Sequence, residues 1–275
     1  MGNPAAQDRA VRFDSIGRPV IGMLYEPVGE RARAGVVLCD AFGDERRSSC
    51  LTMVRLARAI ARAGLAALRF DYWGCGDSPG EFLDCSPSTM REDVCSAAEF
   101  LRATCQLQEI FLLGLRLGAT LAARAAGSIP GCAGLVLIQP VADGAAYVDA
   151  ELRRGRVRQM MTAGQGSSRT PRRNGDVIDL EGLALRPSTL AELRTLRLDG
   201  TEGSFRAPVL LVQVSFSARL RPETARIRDA YVAAGAKAEA VALVLPPFWS
   251  RIDLTDTTPL EEAVCIWLAR LAGTH

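Results

Sequence analysis

One short segment has the spacing that a catalytic turn requires. Gly114 and Gly118 flank a central Arg116, after an apolar run and before an alanine-rich one. Glycines at this spacing allow a sharp strand-to-helix turn that presents the central side chain above a sheet, and in hydrolases that side chain is a nucleophilic serine. Here it is a guanidinium, which carries a permanent charge and does not act as a nucleophile. The segment therefore predicts the backbone of a nucleophile elbow without its nucleophile.

The two partners of a catalytic serine are also missing from the places where they are expected. Residues 215–221 contain no carboxylate, and residues 246–250 contain no histidine. The only histidine of the chain is His275. Because a serine nucleophile needs an adjacent base to become reactive, we predict that the protein lacks the Ser-His-Asp triad and is not a serine hydrolase.

Arg116 can serve in two ways, which the sequence leaves open. In the first, it pairs with Asp44 or Glu45 and plugs a former active site, since a buried guanidinium is costly without a partner. In the second, it binds a carboxylate or phosphate at the start of a predicted helix, Leu117–Ala126, whose free N–H groups already favour anions. Seven arginines in residues 153–173 suit an acidic ligand, although such a run is usually only a solvated face.

Cys75 offers a different chemistry. It lies between Gly74 and Gly76 in a glycine-rich turn, where a thiolate near Arg116 would have a lowered pKa and be reactive. An acyl-handling hydrolase or transferase that uses Cys75 as nucleophile is the alternative function. The other interpretation is a small thiol packed in a tight turn. With no histidine at hand, the base would come from one of four acidic residues: Asp40, Asp44, Glu45 or Asp77.

The regular alternation of strands and helices predicts how these residues are positioned. The predicted strands are Arg12–Ile16, Pro19–Tyr25, Gly35–Cys39, Leu65–Phe70, Glu109–Leu113, Gly134–Gln139, Val209–Val214 and Ala238–Leu245. The predicted helices are Ser49–Ala63, Ser86–Thr104, Leu117–Ala126, Pro222–Ala234 and Pro259–Ala272. Apolar strands that alternate with helices indicate a mostly parallel sheet with helices on both faces, as in the α/β-hydrolase fold.

The alternation is interrupted once. Residues 141–206 show helical pieces, a loose stretch at Gly164–Asp176 and no strand pattern. We interpret them as an inserted cap or lid, with residues 1–140 and 207–275 as the α/β core. Around Arg116, the residues expected to line a binding pocket are Phe42, Glu45, Leu117, Asp77 and Trp249.

Composition excludes several classes of function. A net charge of +2 is too small to suggest a nucleic-acid partner. The eight cysteines include no C-x-x-C pair, so a zinc site and other cofactors are not expected. No apolar run reaches the roughly 18 residues of a membrane span, and residues 1–16 have no signal-peptide core. We expect a cytoplasmic protein with an anionic small-molecule ligand and either a homodimeric state or a pathway partner.

Several motifs together resemble one family. They are Phe42-Gly-Asp-Glu45, residues 71–80 (DYWGCGDSPG), the Gly114–Gly118 segment, Gln139-Pro140 and Pro247-Phe248-Trp249. In this combination the chain resembles the exosortase A system-associated hydrolases, especially the type called hydrolase 2, over roughly residues 36–268. The resemblance implies an α/β-hydrolase fold and a bacterial locus for exopolysaccharide and protein sorting. A family named by fold gives little warrant for a reaction. The expected role is accessory or enzymatic of a non-serine type in a biosynthetic pathway, and a pseudoenzyme that only binds partners is the other alternative.

Overall fold

A single twisted sheet organises the chain. The computed structural model describes residues 6–29, 31–162, 177–180, 183–199, 205–251 and 254–272. The eight strands of the sheet are β1 (Ala6–Ser15), β2 (Arg18–Pro27), β3 (Gly35–Cys39), β4 (Ala66–Asp71), β5 (Ile110–Leu115), β6 (Cys132–Ile138), β9 (Val209–Ser215) and β10 (Ala238–Val244). Their spatial order is β1-β2-β4-β3-β5-β6-β9-β10. Strands β4, β3, β5, β6, β9 and β10 run parallel, and the β1–β2 hairpin joins β4 in antiparallel fashion.

Helices cover both faces of this sheet. They are α1 (Gly43–Arg62), α2 (Pro87–Cys105), α3 (Leu117–Ala126), α4 (Gly144–Thr162), α5 (Pro187–Thr195), α6 (Pro222–Ala233) and α7 (Thr258–Leu271). One hydrophobic core joins the sheet to α1 and α7, and a second joins its other face to α2, α3 and α6. Every residue of β3 and β5 is buried, as strands covered on both sides require. The predicted layered architecture is confirmed.

The predicted bounds agree best in the middle of the sheet. Strand β3 and helix α3 match the prediction residue for residue. Ser86 caps α2 through a capping box with Thr89, and Pro87 opens the helix, as predicted. The predicted start of α1 at Ser49 is wrong, because the helix begins at Gly43. Its first turns bury Glu45, a charged residue, so an apolar pattern could not reveal them.

The segment between β6 and β9 contains more than helices. Two short strands, β7 (Ile178–Leu180) and β8 (Leu183–Leu185), pair in antiparallel fashion, so the prediction of no strands there is wrong. Each has three residues, too few for a period of two to be recognised. Helices α4 and α5 pack against each other. The predicted loose stretch Gly164–Asp176 lies outside the described residues.

We find no helix in the described ranges that is both long enough and apolar enough to span a bilayer.

Candidate functional site

Arg116 occupies a strained turn between β5 and α3. Its φ is 55° and its ψ is −121°, a backbone conformation that residues with a side chain rarely adopt. The turn is held from both sides: the Arg116 N–H donates to the Ile138 carbonyl at 3.0 Å, and the Arg116 carbonyl accepts from the Ala119 N–H at 3.1 Å. The backbone therefore has the shape of a nucleophile elbow, and it carries an arginine at the apex.

Close packing explains the two glycines of this segment. A Cβ atom on Gly118 would overlap the carbonyl oxygens of Cys39 and Asp40, at the end of β3. A Cβ atom on Gly114 would overlap the backbone of Ala119. Helix α3 therefore crosses the ends of β3 and β5 at a distance that leaves no room for a side chain at either position.

The guanidinium of Arg116 is paired with the carboxylate of Glu45. Arg116 Nε donates to Glu45 Oε1 at 2.9 Å, and Arg116 Nη1 donates to the Gln139 carbonyl at 3.3 Å. The side chains are 14% and 5% exposed, so this is a largely desolvated ion pair. Of the two carboxylates that the sequence offered as partners, Glu45 is the one that forms the pair.

Two aromatic side chains complete the surroundings of the pair. The Arg116 guanidinium lies 5.3 Å from the ring centre of Trp249 and 5.7 Å from that of Tyr147, within the range of cation–π contact. The Tyr147 hydroxyl also donates to Glu45 Oε2 at 3.3 Å. Burial, and next the charge of Glu45, raise the pKa of Tyr147 well above its ordinary value, so it stays a proton donor. Glu45 thus has a partner for each oxygen.

Arg116 also lines a cleft of about 180 Å³ at the carboxyl ends of four parallel strands. Its other walls come from the end of β9 and from the residues that follow β6, β9 and β10: Gln139, Val214, Ser215, Phe216, Arg221, Pro247 and Trp249. A wider depression adjoins it along the loop of residues 215–222. The carboxyl ends of parallel strands are where ligands of open α/β sheets bind. Two arginines, Arg116 and Arg221, are among the residues that line the cleft.

Gln213 fixes the loop that carries Arg221. This buried side chain lies in β9, and its Nε2 donates to Ser215 Oγ at 3.1 Å and to the Arg219 carbonyl at 3.0 Å. Its Oε1 accepts from the Arg221 N–H at 2.7 Å and from the Thr224 hydroxyl at 3.1 Å. Two of these four hydrogen bonds hold the backbone of the loop, at Arg219 and Arg221, and this is the loop in which the acid of a catalytic triad would be expected.

The glycine-rich turn after β4 is built around Asp71. Its Oδ2 accepts from the Asp77 N–H at 2.8 Å, its Oδ1 pairs with Arg46, and its carbonyl accepts from the Ser78 hydroxyl at 2.5 Å. Ser78 Oγ in turn accepts from the Ile21 N–H at 2.9 Å. These contacts give Asp71 and Ser78 the structural role of turn residues.

A buried carboxylate, Asp40, lies at the end of β3 beside this turn. It is 1% exposed and forms an ion pair with Arg69 at 2.9 Å, with Arg46 a further neighbour at 3.9 Å. Burial raises the pKa of Asp40, although both arginines act in the opposite direction. Arg46 contacts both Asp40 and Asp71, so the four charges form one network beneath the turn.

The structure brings together three of the residues that the sequence singled out: Arg116, Glu45 and Trp249. The others lie elsewhere. Phe42 is buried and stacks on Phe82 at 5.4 Å, and Leu117 is buried as the first residue of α3. Asp77 is exposed in its turn. Cys75 contacts Cys85, with the sulfur atoms 3.8 Å apart, and does not belong to the set that lines the cleft.

Several residues of the site were missed in the sequence, and their signals differ in strength. Gln213 interrupts the apolar run of residues 209–214, and a buried amide must find hydrogen-bond partners. That pattern could have marked it. Arg221, which lines the cleft, and Tyr147, which contacts Glu45, carry no comparable signal, because their positions depend on how the loop of residues 215–221 and helix α4 pack.

Comparison with known proteins identifies the family and supports the fold. A family model described as serine aminopeptidase, S33 matches residues 30–174, which is more than half of the chain. The chain belongs to this family. A search of curated protein sequences finds no match.

Solved structures of other members of the fold are similar over nearly their whole length. Est1E from Butyrivibrio proteoclasticus, with ferulic acid bound, has 19% identity and a TM-score of 0.64, covering 95% of this chain and 98% of that one. The esterase domain of a Rhodothermus marinus protein has 22% identity and a TM-score of 0.62, covering 97% and 100%. An esterase from Pyrococcus furiosus has 14% identity and a TM-score of 0.66, covering 98% and 92%. These similarities show that this chain, a member of the serine aminopeptidase family, has the α/β-hydrolase fold.

Proposed function

We propose that this member of the serine aminopeptidase family is not a serine hydrolase and that it binds a small anionic molecule, a carboxylate or a phosphate, between Arg116 and Arg221. The observation that carries the proposal is that Arg116 and Arg221 both line one cleft of about 180 Å³ at the carboxyl ends of the parallel strands. A planar guanidinium suits both anions, since it can form two parallel hydrogen bonds.

The ion pair with Glu45 is compatible with ligand binding. Glu45 engages Nε of Arg116, on one edge of the guanidinium, and the Gln139 carbonyl accepts from Nη1. Neither of these bonds uses Nη2. Glu45 therefore holds Arg116 in a fixed orientation. The ion pair with Glu45 and an anion site at Arg116, which the sequence offered as alternatives, are compatible with each other.

The charges of the cleft also favour an anion. Glu45 balances Arg116, so Arg221 is left as an excess positive charge among the cleft residues. Arg116 immediately precedes α3, a ten-residue helix whose amino end adds a partial positive charge. Ser215 and Gln139 contribute uncharged polar groups that can orient a ligand.

The absence of serine chemistry rests on residue types. Arg116 stands at the apex of the elbow, the loop after β9 is held by Gln213, and Trp249 stands in the turn after β10. On the Arg116 elbow and the Pro247-Phe248-Trp249 motif, we place the chain with the exosortase A system-associated hydrolases of type 2. The proposed role is then accessory, or enzymatic of a non-serine type, in a bacterial biosynthetic pathway.

Ligand binding is tested by thermal unfolding with a panel of anions, namely inorganic phosphate, sugar phosphates, aliphatic and aromatic carboxylates, and coenzyme A thioesters. A ligand at about 100 times its dissociation constant stabilises the folded state by roughly 2.7 kcal/mol. At roughly 2–4 °C per kcal/mol, the midpoint should rise by about 5–10 °C.

Arg221→Gln is the informative variant, because the Arg221 side chain is exposed and only its backbone N–H bonds Gln213. Its ligand-induced shift should fall to less than half, whereas Arg219→Gln, in the same loop but away from the Arg116 cleft, should behave as wild type. The absence of a shift with every anion, or an equal shift in Arg221→Gln, would overturn the proposed site.

Turnover of activated esters and thioesters is expected to stay at the background rate. The alternative of an acyl enzyme using Cys75 has one observation in its favour, a lowered pKa of the Cys75 thiol. Release of p-nitrophenol and mass spectrometry of the intact protein measure this directly. Turnover above background that disappears in Cys75→Ala, together with an acyl adduct on Cys75, would favour the thiol mechanism over the proposal.

A further inference from the structure

Two thiols outside the cleft lie close enough to react with each other. Cys75 is in the glycine-rich turn after β4, and Cys85 directly precedes Ser86, the N-cap of α2. Their sulfur atoms are 3.8 Å apart. We propose that Cys75 and Cys85 are a peroxide-reactive pair that forms a reversible intramolecular disulfide. This site is separate from the anion cleft and does not depend on it.

The geometry requires only a small rearrangement. A disulfide bond is about 2.0 Å long, so the sulfur atoms must approach each other by less than 2 Å. Cys75 lies between Gly74 and Gly76, whose φ values are 77° and 55°, and glycine adapts at such angles without steric cost. The Cys75 carbonyl accepts from the Ser78 N–H at 3.0 Å, and this turn keeps the thiol facing Cys85.

Exposure gives the two thiols different roles. Cys75 is half-buried, so a small peroxide can reach it, whereas Cys85 is fully buried behind it. The hydrogen bond with Cys85 lowers the pKa of Cys75, burial acts in the opposite direction, and the charge of Arg46 lowers it further. The same hydrogen bond and burial raise the pKa of Cys85 well above its ordinary value. Cys75 is therefore the thiolate that attacks, and Cys85 is the thiol that resolves.

The chemistry is a two-electron oxidation of the dithiol by a peroxide. The Cys75 thiolate attacks one peroxide oxygen, the O–O bond breaks, and the leaving alkoxide or hydroxide takes a proton to become alcohol or water. Cys75 then carries a sulfenic acid. The Cys85 sulfur attacks the Cys75 sulfur, the S–O bond breaks, and the hydroxyl leaves with the Cys85 proton as water. The peroxide is reduced, and a small thiol such as dithiothreitol reverses the reaction.

The test is oxidation of the intact protein with a few equivalents of hydrogen peroxide, followed by denaturation, alkylation and mass spectrometry. The disulfide removes two hydrogens, a mass loss of about 2 Da, and leaves six of the eight cysteines open to alkylation. Peptide mapping should find Cys75 linked to Cys85, and dithiothreitol should restore eight alkylated cysteines.

Three serine variants sharpen the result. Cys75→Ser and Cys85→Ser should both lose the cross-link, and Cys85→Ser should instead retain a sulfenic acid on Cys75 that a dimedone-type reagent captures. Cys95→Ser, a half-buried thiol on α2, should cross-link as wild type does. Eight free cysteines after oxidation of the wild type, or a cross-link that maps to another pair or to a second molecule, would overturn the proposal whatever the stability of the variants.

Discussion

The Arg116→Met variant is expected to be less stable than the wild type by about 3–5 kcal/mol, the usual cost of removing one partner from a buried ion pair. Glu45 is 5% exposed, and without Arg116 its carboxylate would keep, among the residues that the structure describes, only the Tyr147 hydroxyl as a hydrogen-bond partner. Methionine keeps most of the volume of the side chain, so a cavity adds little to this cost. Chemical denaturation with urea, followed by tryptophan fluorescence, measures the change in free energy of unfolding.

A double-mutant cycle separates the ion pair from the turn itself. Glu45→Gln in the Arg116→Met background removes the orphaned charge, and more than half of the lost stability should return. Arg124→Met, an exposed arginine on the same helix, should change stability by less than about 0.5 kcal/mol. Strictly additive losses in the cycle would mean that Arg116 and Glu45 do not stabilise each other, and the pair would lose its role in orienting Arg116.

The Gly118→Ala variant is expected to lose about 3 kcal/mol or more, at the upper end of what overpacking costs and large for one methyl group. The added Cβ would meet the carbonyl oxygens of Cys39 and Asp40, and backbone atoms cannot turn away as a flexible side chain can. Helix α3 must therefore move off the end of β3 and carry the Arg116 turn with it. The midpoint of thermal unfolding measures this loss.

Gly17→Ala is the matched control for a glycine replaced by alanine. Gly17 has a φ of 77° and open space around its Cα atom, so this variant should lose only about 1 kcal/mol from backbone strain. If Gly118→Ala lost no more than Gly17→Ala, the close approach of α3 to β3 would not be the reason for a glycine at this position.

Prediction of the fold from the sequence succeeded where strands are buried on both faces. Such strands are continuous apolar runs, and β3 and the adjoining α3 were predicted to the residue. The start of α1 was missed because its buried face begins with Glu45, whose burial depends on a partner 71 residues away. Strands β7 and β8 were missed because each has three residues, too few to show the alternation of apolar and polar residues that marks a strand.

Prediction of the site from the sequence succeeded for one partner of Arg116 and failed for residues positioned by the packing of loops. Glu45 was predicted, together with Asp44, as a possible partner of Arg116 because the residues that follow a buried strand face the elbow across the end of the sheet. Cys75 was expected near Arg116, but the cation that contributes to its lowered pKa is Arg46. Arg221 was missed because its loop is directed by Gln213, and no local pattern reveals which way such a loop turns.

The direct pairing of β6 with β9 makes the sheet tolerant of changes in the length of the segment that connects these two strands. Leu135 to Ile138 align with Val209 to Val212, although residues 139–208 lie between the two strands in the chain. The entropic cost of closing a connection grows slowly, by only about 0.6 kcal/mol for each doubling of its length. The connecting segment can therefore change in length, beyond the residues that contact Arg116 and Glu45, at little entropic cost to the pairing of the sheet.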